Sequence, residues 1–341
     1  MSRIGVAVIG LGPASEPHLR SLLELEDRVE IRWAVSRSTA RTQAAAACHG
    51  VPVTNDAQRA ITDPGVSAVL LLTPPSAHLE LAEQCFGHGK HVLVEKPLET
   101  SVTRARRLVC AARVSGCRLG VVLQHRFRPG SERLAELLAA CVLGEIAAGW
   151  VTVPWWRPQT YYDQPGRGTF ARDGGGVLLS QAIHTLDLFR SLVGVSGVTA
   201  AHIATTGLHR MEAEDYAVAL LRLGNGAPGM LAATTSYYPG SPERIEIIGT
   251  RGSAILAGSQ LELRCLDGTG EVVEGDGGTG SGAGIMDFPH DAHRALLADF
   301  LDAILADRDP RVTGEEALAT QELIEQILAQ GHRTPSFPDK L

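Results

Sequence analysis

The chain of 341 residues is 44% apolar and 20% charged and carries a formal net charge of −7, which is typical of a globular protein of two domains. This acidic balance argues against a nucleic-acid partner, and no apolar run approaches the roughly 18 residues that a membrane helix needs. The six cysteines include no Cys-x-x-Cys pair and so favour reduced thiols in the cytoplasm, and the strand pattern that begins at Arg3 leaves no room for a signal peptide.

A glycine-containing loop follows the first predicted strand. The strand is predicted at residues 4–9, the loop reads Gly10-Leu11-Gly12-Pro13-Ala14-Ser15, and a helical pattern comes next. Gly10 would make the tight turn and Gly12 would let the backbone approach a pyrophosphate at the helix N-terminus, while Ser15 replaces the usual third glycine. Because the strand and the helix are both present, the segment predicts a dinucleotide site rather than a plain strand–helix turn.

The second predicted strand, residues 29–35, ends in Ser36-Arg37-Ser38. The carboxylate that would accept the ribose hydroxyls of NAD is missing there. Arg37 and the two hydroxyls are suited to a 2′-phosphate, so this strand end favours NADP(H). NAD(H) stays possible, because Arg37 is also able to stack on adenine.

Strands and helices alternate through the first third of the chain. This spacing is typical of βαβ units in a doubly wound parallel sheet. Further strands are predicted at residues 66–73, 92–94 and 118–124, and helices at 77–86, with Ser76 as N-cap, and at 102–114.

The strand at residues 92–94 runs directly into Glu95-Lys96-Pro97. Ligands of an open parallel sheet bind just past the carboxyl ends of its strands, so Lys96 is expected at the rim of the cofactor crevice. Pro97 restricts Lys96 to extended geometry and thereby aims its side chain. Such a lysine is able to exchange a proton with a substrate hydroxyl; the alternative is a solvated lysine at a strand end.

Aromatic and arginine side chains are concentrated after a predicted helix at residues 130–143 and a strand at 145–155. Two of the four tryptophans and two of the five tyrosines lie within residues 155–162. Aromatic rings stack on a nicotinamide or a sugar, and guanidinium groups pair with anions. The alternative is packing against the sheet or at a subunit interface. The candidates for substrate contact are Trp156, Arg157, Tyr162 and Arg167.

Three glycines at 174–176 precede a predicted helix at residues 182–192. One face of this helix, if it begins early, carries Ser180, His184, Asp187 and Ser191. His184 is a candidate general acid or base near neutral pH, although a helical histidine is often structural. His184 and Asp187 alone are too few ligands for a metal.

From residue 198 onwards the pattern changes to strands separated by tight turns, which predicts a largely antiparallel sheet. Two helices, near residues 290–306 and 315–328, close the chain. The strands are predicted at 198–206, 216–223, 229–237, 244–248, 253–256, 261–265 and 272–274.

Three motifs thus occur in order: Gly10-x-Gly12, Glu95-Lys96-Pro97, and a glycine-rich segment followed by His184-x-x-Asp187. In this order and at these intervals the chain resembles the Gfo/Idh/MocA family of oxidoreductases over essentially its whole length. The resemblance implies an α/β fold: an N-terminal Rossmann domain with a doubly wound parallel sheet, and a C-terminal α+β domain with a large, mainly antiparallel open sheet. The domains are expected at 1–123, for the dinucleotide, and at 124–341, for substrate and oligomerisation, with the final helices able to pack back on the first domain.

The chemistry that the resemblance implies is hydride transfer between a nicotinamide and a carbinol or keto carbon of a sugar, cyclitol or sugar derivative. Lys96 would bind the reacting oxygen and relay its proton, and His184 would lie at the substrate hydroxyl. Many members carry an aspartate where this chain has Ser180, so the Asp–His pattern of the family is incomplete here. Family members commonly form homodimers or homotetramers through the open sheet.

Two alternatives share this fold: an enzyme that cleaves glycosides with bound NAD, and a regulator that binds a dinucleotide without turnover. The presence of both Lys96 and His184 favours catalysis. The expected cofactor-binding residues are Gly10, Gly12, Pro13, Ala14, Ser36, Arg37, Ser38, Thr73, Pro74, His78, Glu95, Lys96 and Gln124. The expected substrate-binding residues are Arg126, Trp156, Arg157, Tyr162, Arg167, Ser180 and His184.

Overall fold

The computed structural model describes residues 3–333 except 276, 279, 283 and 285–287. The chain divides into two compact units, one formed by Met1–Gln124 with His290–Leu318 and the other by His125–Pro289 with Ala319–Leu341. No helix in the described part of the chain combines the length and apolar character needed to cross a membrane.

The secondary structure follows the predicted change from alternating strands and helices to mainly strands. The strands are β1 (Ile4–Ile9), β2 (Val29–Val35), β3 (Val53–Thr54), β4 (Ala68–Leu71), β5 (His91–Val94), β6 (Leu119–Val121), β7 (Ile146–Pro154), β8 (Val195–Ala204), β9 (Tyr216–Leu223), β10 (Pro228–Thr234), β11 (Arg244–Gly249), β12 (Gly252–Ala257), β13 (Gln260–Cys265), β14 (Gly270–Val273) and β15 (Gly331–Arg333). The helices are α1 (Ser15–Glu24), α2 (Thr39–His49), α3 (Ala57–Thr62), α4 (His78–Gly87), α5 (Val102–Ser115), α6 (Pro129–Ala139), α7 (Gln159–Tyr162), α8 (Phe170–Asp173), α9 (Ile183–Val193), α10 (Asp291–Leu305) and α11 (Gly314–Gln330).

The first unit is built on a parallel sheet with strand order β3-β2-β1-β4-β5-β6. β1 pairs in parallel with both β2 and β4, and every residue of β1 is buried. Strands that are covered on both faces need uninterrupted apolar runs, and the sequence of β1 is one. This order confirms the predicted doubly wound Rossmann sheet, whose ligand crevice lies where the order reverses, at the carboxyl ends of β1 and β4.

Two predicted element ends in this unit are wrong. Ser76 does not cap a helix: it lies in a 3₁₀ turn at Pro75–Ala77, and α4 begins at His78. The fixed φ of Pro75 suits the first position of such a turn, so the turn starts before the serine. The strand predicted at residues 118–124 ends at Val121, because the Leu123 N–H donates to the Val121 carbonyl and bends the chain.

Helix α10 packs against α1 in the first unit. Phe300 on α10 and Leu22 on α1 are both almost fully buried. Arg28, which follows α1, forms an ion pair with Asp302 on α10. Burying an aromatic ring and a leucine side chain contributes several kcal/mol, so this packing is more than surface contact.

The second unit contains a sheet with strand order β14-β13-β12-β11-β7-β10-β9-β8-β15. The pairs are antiparallel except β7 with β10 and β8 with β15, which confirms the mainly antiparallel sheet. Alternate residues of β9 are buried, as expected for a sheet that is covered on one face.

The helix predicted at residues 130–143 ends at Ala139. Cys141 adopts a φ of 53°, a left-handed conformation that a regular helix does not tolerate. The apolar residues Val142 and Leu143 therefore belong to the connection to β7, not to the helix.

Candidate active site

The glycine loop after β1 has the geometry that a dinucleotide requires. Gly10 has a φ of +112°, and a Cβ at this position would lie 2.5 Å from the carbonyl oxygen of Leu72. At Gly12 a Cβ would meet nothing within 4 Å, so the loop offers open space there. Pro13 and Ala14 are exposed, and the Ser15 hydroxyl donates to the Gly12 carbonyl at 2.7 Å. Ser15 thus ties the loop to α1, and the loop fits a pyrophosphate.

The end of β2 offers a cation and no carboxylate. Arg37 is exposed and makes no hydrogen bond or ion pair with any described residue. The Ser36 hydroxyl accepts the Ser38 N–H at 3.2 Å, and the Asn55 amide donates to the Ser36 carbonyl at 2.7 Å. Arg37 is therefore available to a ligand, while the two serines shape the turn beside it.

At the end of β4, Pro74 is exposed but His78 has no exposed surface. One ring nitrogen of His78 lies 2.9 Å from the Thr73 carbonyl oxygen, and the other lies 3.2 Å from those of Pro97 and Leu98. Burial lowers the pKa of His78. This side chain therefore joins the Thr73 loop to the segment after Lys96, and it presents nothing to a cofactor directly.

Lys96 lies in a segment held on both sides by buried groups. The Oε2 atom of Glu95 accepts the Lys96 backbone N–H at 3.0 Å, and His78 contacts the next two carbonyl groups. Glu99, which is fully buried, accepts hydrogen bonds from the backbone and the hydroxyl of Thr100. Lys96 itself is half-buried, at the carboxyl end of β5 as predicted.

Gln124 ends the Rossmann part of the first unit. Its side chain is buried, and its Oε1 atom has no hydrogen-bond partner among the residues that the structure describes. A buried amide oxygen normally has a donor. The Oε1 atom is itself shielded from solvent, so the cofactor role of Gln124 stays a prediction.

In the second unit, His184 lies in the first turn of α9 and is buried. Its ring stacks on that of His125, with centroids 5.0 Å apart and an interplanar angle of 27°. A π-helical turn at Leu178–Ala182 precedes α9, so the spacing of a regular helix does not apply between Ser180 and His184. The Ser180 hydroxyl donates to the Gly176 carbonyl at 2.7 Å, which commits it to the backbone.

The segment that carries His184 is held by Glu214, which sequence reasoning missed. The two carboxylate oxygens of Glu214 accept the N–H groups of Gly176 and Leu178 at 3.1 Å each, and its carbonyl accepts the Val177 N–H at 2.7 Å. A Cβ at position 176 would lie 1.8 Å from this carbonyl oxygen, so the third glycine is required. No local pattern links the glycines to a glutamate so far along the chain.

Arg126 is not free to serve a substrate with its whole guanidinium group. Its Nε and Nη2 atoms donate to the two carboxylate oxygens of Asp187 at 2.6 and 2.7 Å. The Thr320 hydroxyl also donates to Asp187, which is fully buried. This pair joins the start of the second unit to α9.

The aromatic and arginine stretch is partly interior. Arg157 is only 2% exposed, and it donates to the carbonyls of Trp156 and Gly282 and to the amide oxygen of Gln181. Burial lowers the pKa of Arg157, yet a guanidinium keeps its charge in proteins. Tyr162 is also buried, and its hydroxyl is 2.7 Å from that of Thr235.

Trp156 and Arg167 are the half-buried members of this stretch. The guanidinium of Arg167 lies 5.0 Å from the centre of the Tyr161 ring, and its Nε has no hydrogen-bond partner in the described ranges. Trp156 meets the exposed Tyr238 edge-on at 5.4 Å. These two side chains, unlike Arg157 and Tyr162, have surface left for a ligand.

Family models match both parts of the chain. An oxidoreductase family with an NAD-binding Rossmann fold matches residues 4–123, and the Gfo/Idh/MocA C-terminal domain matches residues 131–255. The chain belongs to the Gfo/Idh/MocA family. It is accordingly an oxidoreductase of the dehydrogenase type with an NAD-binding domain.

Several Gfo/Idh/MocA relatives of known structure or named activity match most of the chain. The WlbA dehydrogenase of Bordetella pertussis, solved with NADH and UDP-GlcNAcA, is 29% identical, with 96% of both chains covered and a TM-score of 0.82. The scyllo-inositol 2-dehydrogenase (NAD(+)) of Bacillus subtilis (strain 168) is 25% identical over 332 residues, which are 94% of this chain and 92% of that protein. The 1,5-anhydro-D-fructose reductase of Ensifer adhaerens is 28% identical over 277 residues, 80% of each.

Proposed function

We propose that the protein is an NAD(P)-dependent dehydrogenase or reductase acting on a CH–OH group of a sugar, cyclitol or sugar derivative. A bound nicotinamide would supply the hydride acceptor or donor. In the oxidative direction the substrate hydroxyl loses its proton as the carbinol hydrogen leaves with its electron pair. We assign the binding of this oxygen and the relay of its proton to Lys96, and a contact with the hydroxyl to His184.

The fixed segment around Lys96 supports this proposal most directly. Glu95 accepts the Lys96 N–H, and the ring of His78 lies against the carbonyls of Pro97 and Leu98. A solvated lysine at a strand end would need no such support. Holding a catalytic group in one geometry is a large part of the rate that an enzyme gains, so the support from Glu95 and the buried His78 favours a catalytic lysine.

The His184 ring is buried against the ring of His125, which supports a contact with the substrate hydroxyl that requires a fixed ring orientation. A stacked imidazole is restrained in its tilt, and the segment before it is capped by Glu214. Ser180 brings no charge to this site, in contrast to the aspartate of many relatives. We therefore assign His184 a smaller share of the rate than Lys96.

The substrate side is proposed to involve Trp156 and Arg167. Trp156 would offer a partly exposed ring. The partly exposed guanidinium group of Arg167, whose Nη1 atom lies 3.7 Å from Asp173, would pair with an oxygen of the substrate, most strongly with an anionic one. Arg157 and Tyr162 would hold this segment in place through their buried hydrogen bonds. Two of the named relatives are an inositol dehydrogenase and an anhydro-sugar reductase, which is consistent with a polyhydroxylated ring as substrate.

NADP(H) is the proposed preference. Arg37 is exposed next to the position where an adenosine 2′-phosphate would lie, and no carboxylate at the end of β2 would repel it. NAD(H) is the alternative: the Bordetella relative was solved with NADH, and the Bacillus relative is named for NAD(+). In that case Arg37 would stack on adenine.

A homodimer or homotetramer is proposed through the open face of the second sheet. Trp150 on β7, Met230 on β10 and Leu220 on β9 are adjacent in register and exposed. A contiguous exposed apolar row is typical of a protein interface. The mass of the protein in solution, measured by light scattering, tests this proposal.

A substrate screen tests the proposed function. NADPH and NADH oxidation would be followed with keto-sugars, and reduction of NADP⁺ and NAD⁺ with sugars, sugar acids and cyclitols. We expect turnover of at least one polyol or keto-sugar, and turnover lowered by roughly 10²–10⁴-fold in Lys96→Met. Protein that binds the cofactor but turns over nothing in the screen would contradict the proposal.

A further inference from the structure

A buried histidine on α1 contacts the glutamate that precedes Lys96. His18 has no exposed surface, and its Nε2–H donates to the Oε1 atom of Glu95 at 3.0 Å. The two residues are 77 positions apart. Their contact joins the helix that follows the glycine loop to the end of β5, so it connects the two parts of the first unit that the proposed chemistry uses.

Glu95 uses its second oxygen for the backbone of Lys96. Oε2 accepts the Lys96 N–H at 3.0 Å, so each carboxylate oxygen has one donor. Burial by itself raises the pKa of Glu95, but the hydrogen bond from His18, the Lys96 charge and the Lys96 N–H outweigh burial and hold that pKa below its ordinary value. The carboxylate therefore stays ionised at neutral pH and accepts both bonds.

His18 is itself held in one orientation. The ring of His293 on α10 packs edge-on against it, with centroids 5.1 Å apart and an interplanar angle of 86°. Both rings are buried. The Nδ1 atom of His18 has no hydrogen-bond partner within the described part of the chain. Among the described residues, His18 therefore forms its hydrogen bond with Glu95. Rotation of the ring would leave the Nε2–H of His18 and the Oε1 atom of Glu95 without this bond.

We infer that His18 and Glu95 are positioning residues for Lys96, an inference that rests on the proposed role of this lysine. His18 fixes the rotamer of the Glu95 carboxylate, and the carboxylate fixes the peptide N–H of Lys96. The direction in which the Lys96 side chain leaves the backbone follows from this peptide plane. Glu95 had been expected to bind the cofactor; with an N–H on each oxygen, its principal task is to hold the lysine.

Two variants of His18 separate positioning from packing. In His18→Gln the side-chain amide N–H is able to reach where the Nε2–H of histidine lies, so the hydrogen bond to Glu95 is retained. His18→Leu fills much of the same volume and donates nothing. His49→Leu is the matched control, because His49 on α2 pairs with Glu16 at 3.2 Å in the same unit and makes no contact with Lys96.

Hydrogen exchange of the Lys96 amide tests the link without any substrate. In His18→Leu we expect this amide to exchange at least about tenfold faster, because its acceptor becomes mobile. The neighbouring Glu95 amide, which donates to the Leu71 carbonyl, is expected to keep its rate. His18→Gln and His49→Leu are expected to exchange like the wild type.

Kinetics then test the consequence. With the substrate found in the screen, His18→Leu should lower kcat by roughly tenfold or more while the Kd of the reduced cofactor stays within about twofold, and His18→Gln should restore most of kcat. Unchanged Lys96 exchange in His18→Leu would overturn the inference, as would a His18→Gln variant as slow as the leucine variant. If the screen finds no substrate, the proposed function fails, and the exchange experiment still decides the link.

Discussion

Arg126 and Asp187 form a bidentate ion pair inside the second unit, with N–O distances of 2.6 and 2.7 Å. The carboxylate is fully buried and also accepts the Thr320 hydroxyl, whose oxygen in turn accepts from Arg190. A buried charge that loses its partner is costly, so this pair matters more for folding than a surface ion pair of the same length.

Replacing Arg126 should therefore show as lost stability. Arg126→Met is expected to lower the free energy of unfolding by about 3 kcal/mol, because it leaves the Asp187 carboxylate buried without its strongest partner. Urea unfolding at pH 7 measures this change. The substrate role expected for Arg126 would instead raise KM strongly at unchanged stability, and that result would contradict the structural assignment.

Lys96→Met should remove the proton relay and leave the dinucleotide site intact. We expect kcat to fall by roughly 10²–10⁴-fold, the usual contribution of a positioned acid–base group, with the Kd of the reduced cofactor almost unchanged. Steady-state kinetics and cofactor fluorescence measure the two effects. Near-normal turnover by this variant would exclude Lys96 from the chemistry.

His184→Ala separates a catalytic histidine from a structural one. If His184 contacts the reacting hydroxyl, activity should fall while the Tm stays within a few degrees of the wild type. The loss should be smaller than for Lys96→Met, because Ser180 donates to a backbone carbonyl and adds no charge. A large drop in Tm with normal activity per folded molecule would mean that the His125 stack is structural, and His88→Ala, at an exposed position, controls for general effects.

Arg37→Ala should change the choice of cofactor. A charge-assisted hydrogen bond to a 2′-phosphate contributes about 1.5–3 kcal/mol, and the exposure of Arg37 favours the lower value. We expect roughly tenfold tighter binding of NADPH than NADH in the wild type, and loss of that preference in the variant. Equal or tighter binding of NADH by the wild type would assign Arg37 to adenine stacking.

Asp215→Asn should alter the acid stability of the protein. Burial raises the pKa of Asp215, but hydrogen bonds from His209, Thr206 and Ser236 outweigh it and hold that pKa below its ordinary value. A carboxylate with a lowered folded-state pKa stabilises the fold above its unfolded-state pKa, and this stability is lost as the pH falls through the folded-state value. The variant should thus be less stable by about 2 kcal/mol at pH 7, with the difference shrinking below about pH 4. Urea unfolding between pH 3 and pH 7 measures it; a difference independent of pH would contradict the ionised Asp215.

Local sequence patterns were enough to predict the bounds of several strands. Strands β1, β2 and β9 begin and end where an apolar run or an alternating pattern predicts. The burial pattern of a strand appears directly in the order of its apolar and polar residues. The glycine loop after β1 could be read for the same reason, since Gly10 and Gly12 act within one turn of backbone. The Glu-Lys-Pro segment was likewise recognisable from its position after a buried strand.

Helices α2 and α3 had no such signal. Only Thr42 and Ala45 are buried in the alanine-rich α2, so it lacks the apolar stripe by which a helix is recognised. The end of α6 depended on the left-handed backbone conformation of Cys141, which cannot be predicted from a cysteine in the sequence. The sequence did not show that the His78 ring would lie against three backbone carbonyl groups, because two of them belong to the segment after Lys96.

Tertiary structure alone decided which distant residues support the candidate catalytic groups. Glu214 caps the segment before His184, His125 stacks on its ring, and His18 holds Glu95. Each of these contacts joins residues tens of positions apart, so no period or spacing in the chain encodes them. Sequence was sufficient to select Lys96 and His184 as candidates because residue type and motif carry the chemistry, whereas their orientation depends on packing between elements that meet only in the folded protein.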